Sequence, residues 1–358
     1  MLNNADTLAL TIALLVVAAT LPCEEDVKYK SIVATRRGGP EVLQIVENDL
    51  RPPATGEVRV KTLAASVALP DVEARYGRSP FPPKVPFTPG YAIVGAVDAV
   101  GAGVIHAQAG GRVAALTVYG GYSEYVYLPE KKLIPVPAAL DPAQAVPLIL
   151  NYIVAYQTLH RSAKIKAGDT VLIIGASGGI GTAYLQLGQA AGLKMYGLAS
   201  KSKHAALIEY GATLVDYRSQ DFVSIIREME PGGLDAVFDG MGGDYLPRGF
   251  GLLKRGGVWV GYANPRSLLG MLRLLGRIIW LNLLPNGRAV KLYGTGASFL
   301  DRRPFLEDWA TLFNLLGERK INPIIAARFP ILEAAQANAL LEGGQVTGNI
   351  VLLAPDLL

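Results

Sequence analysis

"VLIIGASGGIGTAYLQLGQAAG", Val171 to Gly192, runs four apolar residues into a glycine cluster and then into an amphipathic segment. Gly178, Gly179 and Gly181 stand where a strand ends and a helix, expected over about Ile180 to Ala191, begins. Glycines let a backbone turn sharply and come within contact distance of a ligand. The free N–H groups of a helix start, aided by the helix dipole, then suit an anion. Strand, turn and helix in this order make the first βαβ unit of a dinucleotide-binding fold.

The segments that follow support this reading. "LKMYGLAS", "TLVDY", "LDAVFDGM" and "GVWVGYA" read as strands, with "SKHAALIEYGA", "QDFVSIIREME" and "YLPRGFGLLKRG" as the intervening helices. The strands are largely unalternated apolar runs, as in a parallel sheet covered on both faces. Upstream, from about Tyr29 to Pro137, short alternating runs such as "EVRVKTLAAS" and "YAIVGAVDAVG" are separated by Pro and Gly clusters. They suggest a barrel-like antiparallel unit. Between the two lies "AVPLILNYIVAYQTLHRSA", a helical run with Asp141 as N-cap and Pro142 in its first turn. A closing helix, "LEAAQANALLEGG", and strand, "GNIVLLA", end the pattern. The fold class is therefore α/β, with a β-rich unit beside a doubly wound parallel sheet.

Two other phosphate loops do not fit. A P-loop needs Gly-Lys-Ser/Thr at the helix start, and "GIGTAY" has no lysine. A short-chain dehydrogenase has its glycine loop near the chain start and a downstream Tyr-x-x-x-Lys pair. Here that spacing occurs only at Tyr127 and Lys131, upstream in the β-rich half. The end of the second strand of the parallel unit carries no Asp or Glu for a ribose hydroxyl. It carries Ser200, Lys201, Ser202 and Lys203, which suit a 2′-phosphate. NADP(H) is expected over NAD(H).

Composition narrows the class. The chain has 358 residues, 51% hydrophobic and 18% charged, with net charge +4. That bespeaks a globular protein of about two domains. No basic run or basic–aromatic patch suggests nucleic acid. Cys23 is the single cysteine, so an internal disulfide or a multi-thiolate metal site is excluded. His106, His160 and His204 lie far apart without ligand spacing, so no metal is expected. The run Leu8 to Leu21 is 14 residues, below the ~20 needed to span a bilayer. It has no preceding Lys or Arg and resembles a signal core only in its apolarity. An anchor, a signal and an inert extension stay open for residues 1–28, with the last favoured, a cytoplasmic location expected and membrane contact through 8–21 disfavoured.

By these motifs the chain resembles the zinc-independent quinone oxidoreductase branch of the medium-chain dehydrogenase/reductase superfamily. The resemblance covers about Tyr29 to Leu353. It is carried in order by "GGPEVLQIVE", "PFTPGYAIVGAVDAVG", "GGYSEYVYLP", "LNYIVAYQTL", "IIGASGGIGTAYLQLGQAAG", "YGLASKSKHAALIEYGA", "VDYRSQDF", "DAVFDGMGG" and "VTGNIVL". It implies a homodimer of subunits with a GroES-like domain over 29–150 and 295–358, a Rossmann domain over 151–294, and a substrate cleft between them. Ala176, Ser177, Gly178, Gly179, Ile180 and Gly181 then match the pyrophosphate loop. Lys203 matches the lysine that meets the 2′-phosphate, beside Ser200, and Tyr217 the tyrosine near the adenosine phosphate. The loops through Gly240 and Met241 and through Tyr262 match those along the nicotinamide half. Zinc-dependent relatives place a Cys and a His where this chain has "ASVALPDVEAR" and Tyr91. Three departures stand out: Ala68 for an Asn, Val154 for a hydroxyl residue, and Gly111 for an Asp.

The expected activity follows. Without a metal to polarise an alcohol, the cleft must position an electron-poor conjugated acceptor, a quinone or an α,β-unsaturated carbonyl, for hydride transfer. Tyr76 is the candidate proton donor and substrate contact, and a barrel-edge aromatic is its alternative. Asn151 and Tyr152 are expected to line the cleft, or else to serve as a cap and a core residue. The apolar segment Arg266 to Leu284 is expected to cover a cleft or subunit contact rather than lie on a membrane. An enoyl-thioester reductase and a non-catalytic, membrane-associated NADPH-binding protein are the alternatives.

Overall fold

The computed structural model describes residues 27–263 and 265–358; the apolar run 8–21, Cys23 and Asn264 of "GYAN" lie outside them. The β-rich half begins with an antiparallel pair, β1 (Lys28–Ala34) and β2 (Leu43–Asp49). β3 (Glu57–Val67), β4 (Ala92–Val100), β5 (Arg112–Leu116), β6 (Tyr125–Pro129) and β7 (Ile134–Pro135) follow. Along β3, inward and outward residues alternate before the strand becomes fully buried, the pattern of a pleated strand with one face on a core.

Six strands then form a second, wholly parallel sheet. They are β8 (Thr170–Ile174), β9 (Lys194–Leu198), β10 (Thr213–Val215), β11 (Leu234–Asp239), β12 (Leu253–Gly261) and β13 (Ala289–Leu292). Their spatial order is β10-β9-β8-β11-β12-β13, so the winding reverses at β8. The crevice beyond the carboxyl end of such a strand is where open α/β sheets bind ligands. β14 (Ile325–Pro330) and β15 (Asn349–Leu353) return to the first sheet, whose order is β14-β15-β3-β4-β5-β7 with β6 also on β3. The expected GroES-like unit and Rossmann sheet are both present.

The helix after β8 spans Gly179–Ala190, one residue earlier at each end than its sequence reading. The run from Pro142 to Ala163 is helical throughout, alternating α and π turns, and Asp141 Oδ1 caps it by accepting from Ala143 N–H at 2.9 Å. "SKHAALIEYGA" differs from its reading as a helix. It forms only 3₁₀ turns at Lys201–Lys203 and Ile208–Tyr210. Short helices in proteins are held by an apolar face on a core. Between 201 and 210 only Leu207 is buried, and Gly211 takes φ +72° to leave the turn.

The two sheets share a core. One continuous buried cluster includes Ala64 and Val94 of the first sheet, Phe238 of the second, Tyr184 of the helix Gly179–Ala190, and Trp309 and Leu312 of the helix Arg303–Gly317. The helix Leu268–Leu283 is peripheral: Leu274, Ile278 and Leu281 touch a second cluster, and no residue of the helix is buried. Among the described residues no helix is long and apolar enough to cross a membrane.

Candidate active-site cleft

The glycine turn sits at the end of β8, where the strand order reverses. A Cβ at Gly181 would lie 2.1 Å from the Gly175 carbonyl oxygen, so the helix can approach the strand end only without one. A Cβ at Gly179 would lie 2.4 Å from Asn151 Nδ2. The amides of Gly179, Ile180 and Gly181 precede the first turn-closing bond, Thr182 N–H to the Gly178 carbonyl at 2.8 Å. They are the first-turn donors that a helix leaves unpaired within itself. The turn is stitched to the other unit: Gly348 N–H, just before β15, donates to Ser177 C=O at 2.9 Å.

A cleft of about 380 Å³ opens over this turn. Gly175, Gly178 to Gly181, Gly240, Met241 and Tyr262 line one side, and Ala68, Leu69 and Tyr91 are on the β-rich side. Asn151 also reaches the cleft, its amide donating to Asn349 Oδ1 at 2.6 Å beneath Gly179. Ala176 is fully buried behind the turn. Ser200 is buried and Lys203 partly so; Lys203 Nζ donates to the carbonyls of Gly344 and Val346, each at 2.8 Å. Burial, with the Arg218 charge second, holds its pKa below the usual lysine value. Tyr217 is exposed beside Arg218.

Two expected substrate contacts lie elsewhere. Tyr152 is fully buried and donates to Gln186 Oε1 at 2.8 Å, the core alternative rather than the cleft. Tyr76 is outside the cleft wall: its hydroxyl donates to Glu342 Oε2 at 2.9 Å, and Glu342 is the one that faces the cleft. Arg75, fully buried, also binds Glu342 and the Gly38 carbonyl. The arginine and carboxylate thus hold Tyr76 at the rim.

The structure adds polar groups that the sequence reading gave no role at the cleft. Tyr91, Tyr293 and Thr295 line it. Tyr91 and Thr295 pair through their hydroxyls at 3.2 Å, while Tyr293 donates to Gln157 Oε1 at 2.9 Å. Asp71 is buried behind the wall, accepting from Gly90 N–H, Ala68 N–H and Tyr122 O–H at 2.9, 3.0 and 3.1 Å. Burial outweighs these donors and raises its pKa to about 7. Asp239 ends β11 and shapes the next loop through Met241 N–H and Gly242 N–H, at 2.7 and 2.9 Å. Its other oxygen is buried without a partner among the described residues, and burial raises its pKa. A Tyr directly after "PG" at the mouth of a strand was the available sign for Tyr91.

The donor set also speaks to metal. Ala68 and Tyr91 stand near the positions discussed for zinc ligands, and among the described residues no group of three or more His, Cys, Asp or Glu could hold an ion. Zinc does not fit these residues. A dinucleotide does: the turn supplies amides and a space that a Cβ would fill, and the switch point supplies the crevice.

Residues 54–138 match the model of the alcohol dehydrogenase GroES-like domain, and residues 210–352 that of the zinc-binding dehydrogenases. The human synaptic vesicle membrane protein VAT-1 homolog is 33% identical over 340 residues, 90% of this chain and 86% of that protein. Quinone oxidoreductase 1 of Escherichia coli is 30% identical over 328 residues, 89% of this chain and 97% of that protein. The crystal structure of Escherichia coli quinone oxidoreductase complexed with NADPH superposes with a TM-score of 0.81 at 28% identity, covering 90% of this chain and 99% of that one. The chain belongs to the medium-chain dehydrogenase/reductase superfamily of NAD(P)-dependent oxidoreductases, in the branch of the quinone oxidoreductases and VAT-1 homologues.

Proposed function

We propose that the chain is an NADPH-dependent reductase of quinones or of the C=C bond of α,β-unsaturated carbonyls. The observation that carries this reading is the glycine turn at the switch point, opening onto a mainly apolar cleft walled on its far side by the β-rich unit. NADPH, when bound, supplies the hydride. This chain's residues do the rest. The amides of Gly179, Ile180 and Gly181 take the pyrophosphate. Ser200, Lys203 and Tyr217 take the adenosine end, with Arg218 a further cation beside Lys203. Gly240, Met241 and Tyr262 border the nicotinamide half. Ala68, Leu69 and Val154 present apolar walls that exclude water and hold a flat acceptor.

The E. coli relative crystallised with NADPH supports the cofactor choice, as does the serine–lysine cluster at the end of β9. Stopped-flow oxidation of NADPH with a panel of quinones, enones and enoyl thioesters tests the reading. Quinones or enones should drive turnover, with NADPH preferred to NADH. Turnover with enoyl thioesters alone would move the activity to acyl chemistry. NADPH binding without acceptor-dependent oxidation would make the protein a non-catalytic binder.

A further inference from the structure

We infer that the Tyr91–Thr295 hydroxyl pair is the carbonyl-binding element of the cleft, donating a hydrogen bond to the acceptor's oxygen. The inference rests on the reductase reading above and adds the residues that recognise the acceptor.

Tyr91 and Thr295 each bring one O–H, and they share one hydrogen bond at 3.2 Å. Neither hydroxyl makes another bond within the described protein. Whichever of the two donates, the other keeps an unused O–H. Both residues line the same cleft as the glycine turn, and Thr295 is buried. A spare donor facing a largely apolar cleft calls for an acceptor atom on the ligand. A carbonyl oxygen is that atom, and it gains negative charge as a conjugated acceptor is reduced, which strengthens the bond in the transition state.

Most other polar groups of the wall already have protein partners; the Tyr262 hydroxyl has none among the described residues, but it lies on the cofactor side. Tyr293 donates to Gln157, and Asn151 to Asn349. Glu342 accepts from Arg75 and Tyr76 and, as a carboxylate, would repel a carbonyl oxygen. Tyr262 packs against Gly240 on the cofactor side: a Cβ there would lie 2.8 Å from its hydroxyl. The Tyr91 hydroxyl also keeps its proton. Burial, ahead of the opposing Thr295 hydrogen bond, raises its pKa, and the Asp71 charge adds to the rise. The pair joins positions 204 residues apart, one on each side of the parallel unit.

The test uses the full-length protein saturated with NADP⁺ and 4-(dimethylamino)cinnamaldehyde, whose absorption band moves to longer wavelength when its carbonyl oxygen is hydrogen-bonded. Wild type should shift the band. Tyr91→Phe should abolish the shift while binding NADPH within twofold of wild type, as titrated by nicotinamide fluorescence. With a reducible enone, Tyr91→Phe should lower kcat/KM by roughly 10²-fold, mostly in kcat, the scale for one transition-state donor. Thr295→Val should lose less, and Thr295→Ser should restore the wild-type shift. No shift with wild type, or an equal shift with Tyr91→Phe, overturns the inference. A shift that depends on Tyr91 in a protein that turns over no acceptor leaves the carbonyl site standing and sinks the reductase reading.

Discussion

Gly181 and Asp71 show how single residues shape the cleft. At Gly181 the obstacle to a side chain is backbone: the Gly175 carbonyl, 2.1 Å from a Cβ, belongs to the turn itself. Gly181→Ala must push the helix Gly179–Ala190 off β8. We expect a loss of about 1–3 kcal/mol in chemical denaturation, and NADPH affinity lowered by more than tenfold because the first-turn amides move. Unchanged affinity would place the phosphates elsewhere. Asp71 makes a pH prediction. Its carboxyl is raised by burial to about 7 from 3.8. The folded state therefore holds the proton more tightly than the unfolded chain does. The stabilising contribution is full below the unfolded value and is lost as pH rises through about 7. Asp71→Asn removes this titration. Between pH 4 and 7 the stability of wild type should fall relative to the variant by up to about 1.4 kcal/mol per pH unit. Parallel profiles would mean that the two N–H donors and Tyr122 keep the carboxylate ionised.

At the scale of elements, the segment joining the helix Ala334–Glu342 to β15 reaches from the β-rich unit across the parallel unit. Gly348 pairs with the glycine turn, and Lys203 holds Gly344 and Val346. A 2′-phosphate would compete with those two carbonyls for the same ammonium. Lys203→Ala should weaken NADPH by at least tenfold and NADH little, and should speed amide exchange across 343–348; equal losses for both coenzymes would misplace the phosphate. The alternation of β3 and the apolar runs of β8 and β11 were plain in the sequence, because each pattern is local and reports which faces are buried; β4 instead buries its first four residues in a row. "SKHAALIEYGA" was not, because its apolar Ala205, Ala206 and Ile208 stay exposed beside the one buried residue, Leu207, and only tertiary contact reveals that. Asn151 and Tyr152 are adjacent, yet one reaches the cleft and the other the core. Consecutive helical residues point about 100° apart, so neighbours in one turn face different surroundings. The Tyr91–Thr295 pair was equally hidden, since no local pattern links partners on opposite sides of the parallel unit.

Over the whole molecule, the two sheets are joined by burial rather than hinged. Each unit has a buried cluster of its own, and the cluster that runs from Ala64 and Val94 through Tyr184 and Phe238 to Trp309 spans both. Asp308 is the polar counterpart of that seam. It is buried, accepts from Gln157 Nε2 at 2.7 Å, and takes a two-pronged contact from Arg161 at 2.6 and 2.8 Å. Gln157 in turn holds Tyr293 in the cleft wall. Heating should therefore give one transition, with far-UV and near-UV dichroism coincident, although the chain has two sheets. Asp308→Ala leaves the Gln157 amide unpaired inside, while Arg161, partly exposed, keeps Glu307 and recovers some hydration. A buried pair broken on one side costs 3–5 kcal/mol; with solvent at Arg161, about 2–3 kcal/mol is expected here. The transition should move down as a single step, and the gain in Tm on adding NADPH should shrink because Gln157, which anchors Tyr293, loses its own partner. Two resolved steps in the variant, or in wild type, would mean that the shared core does not couple the units.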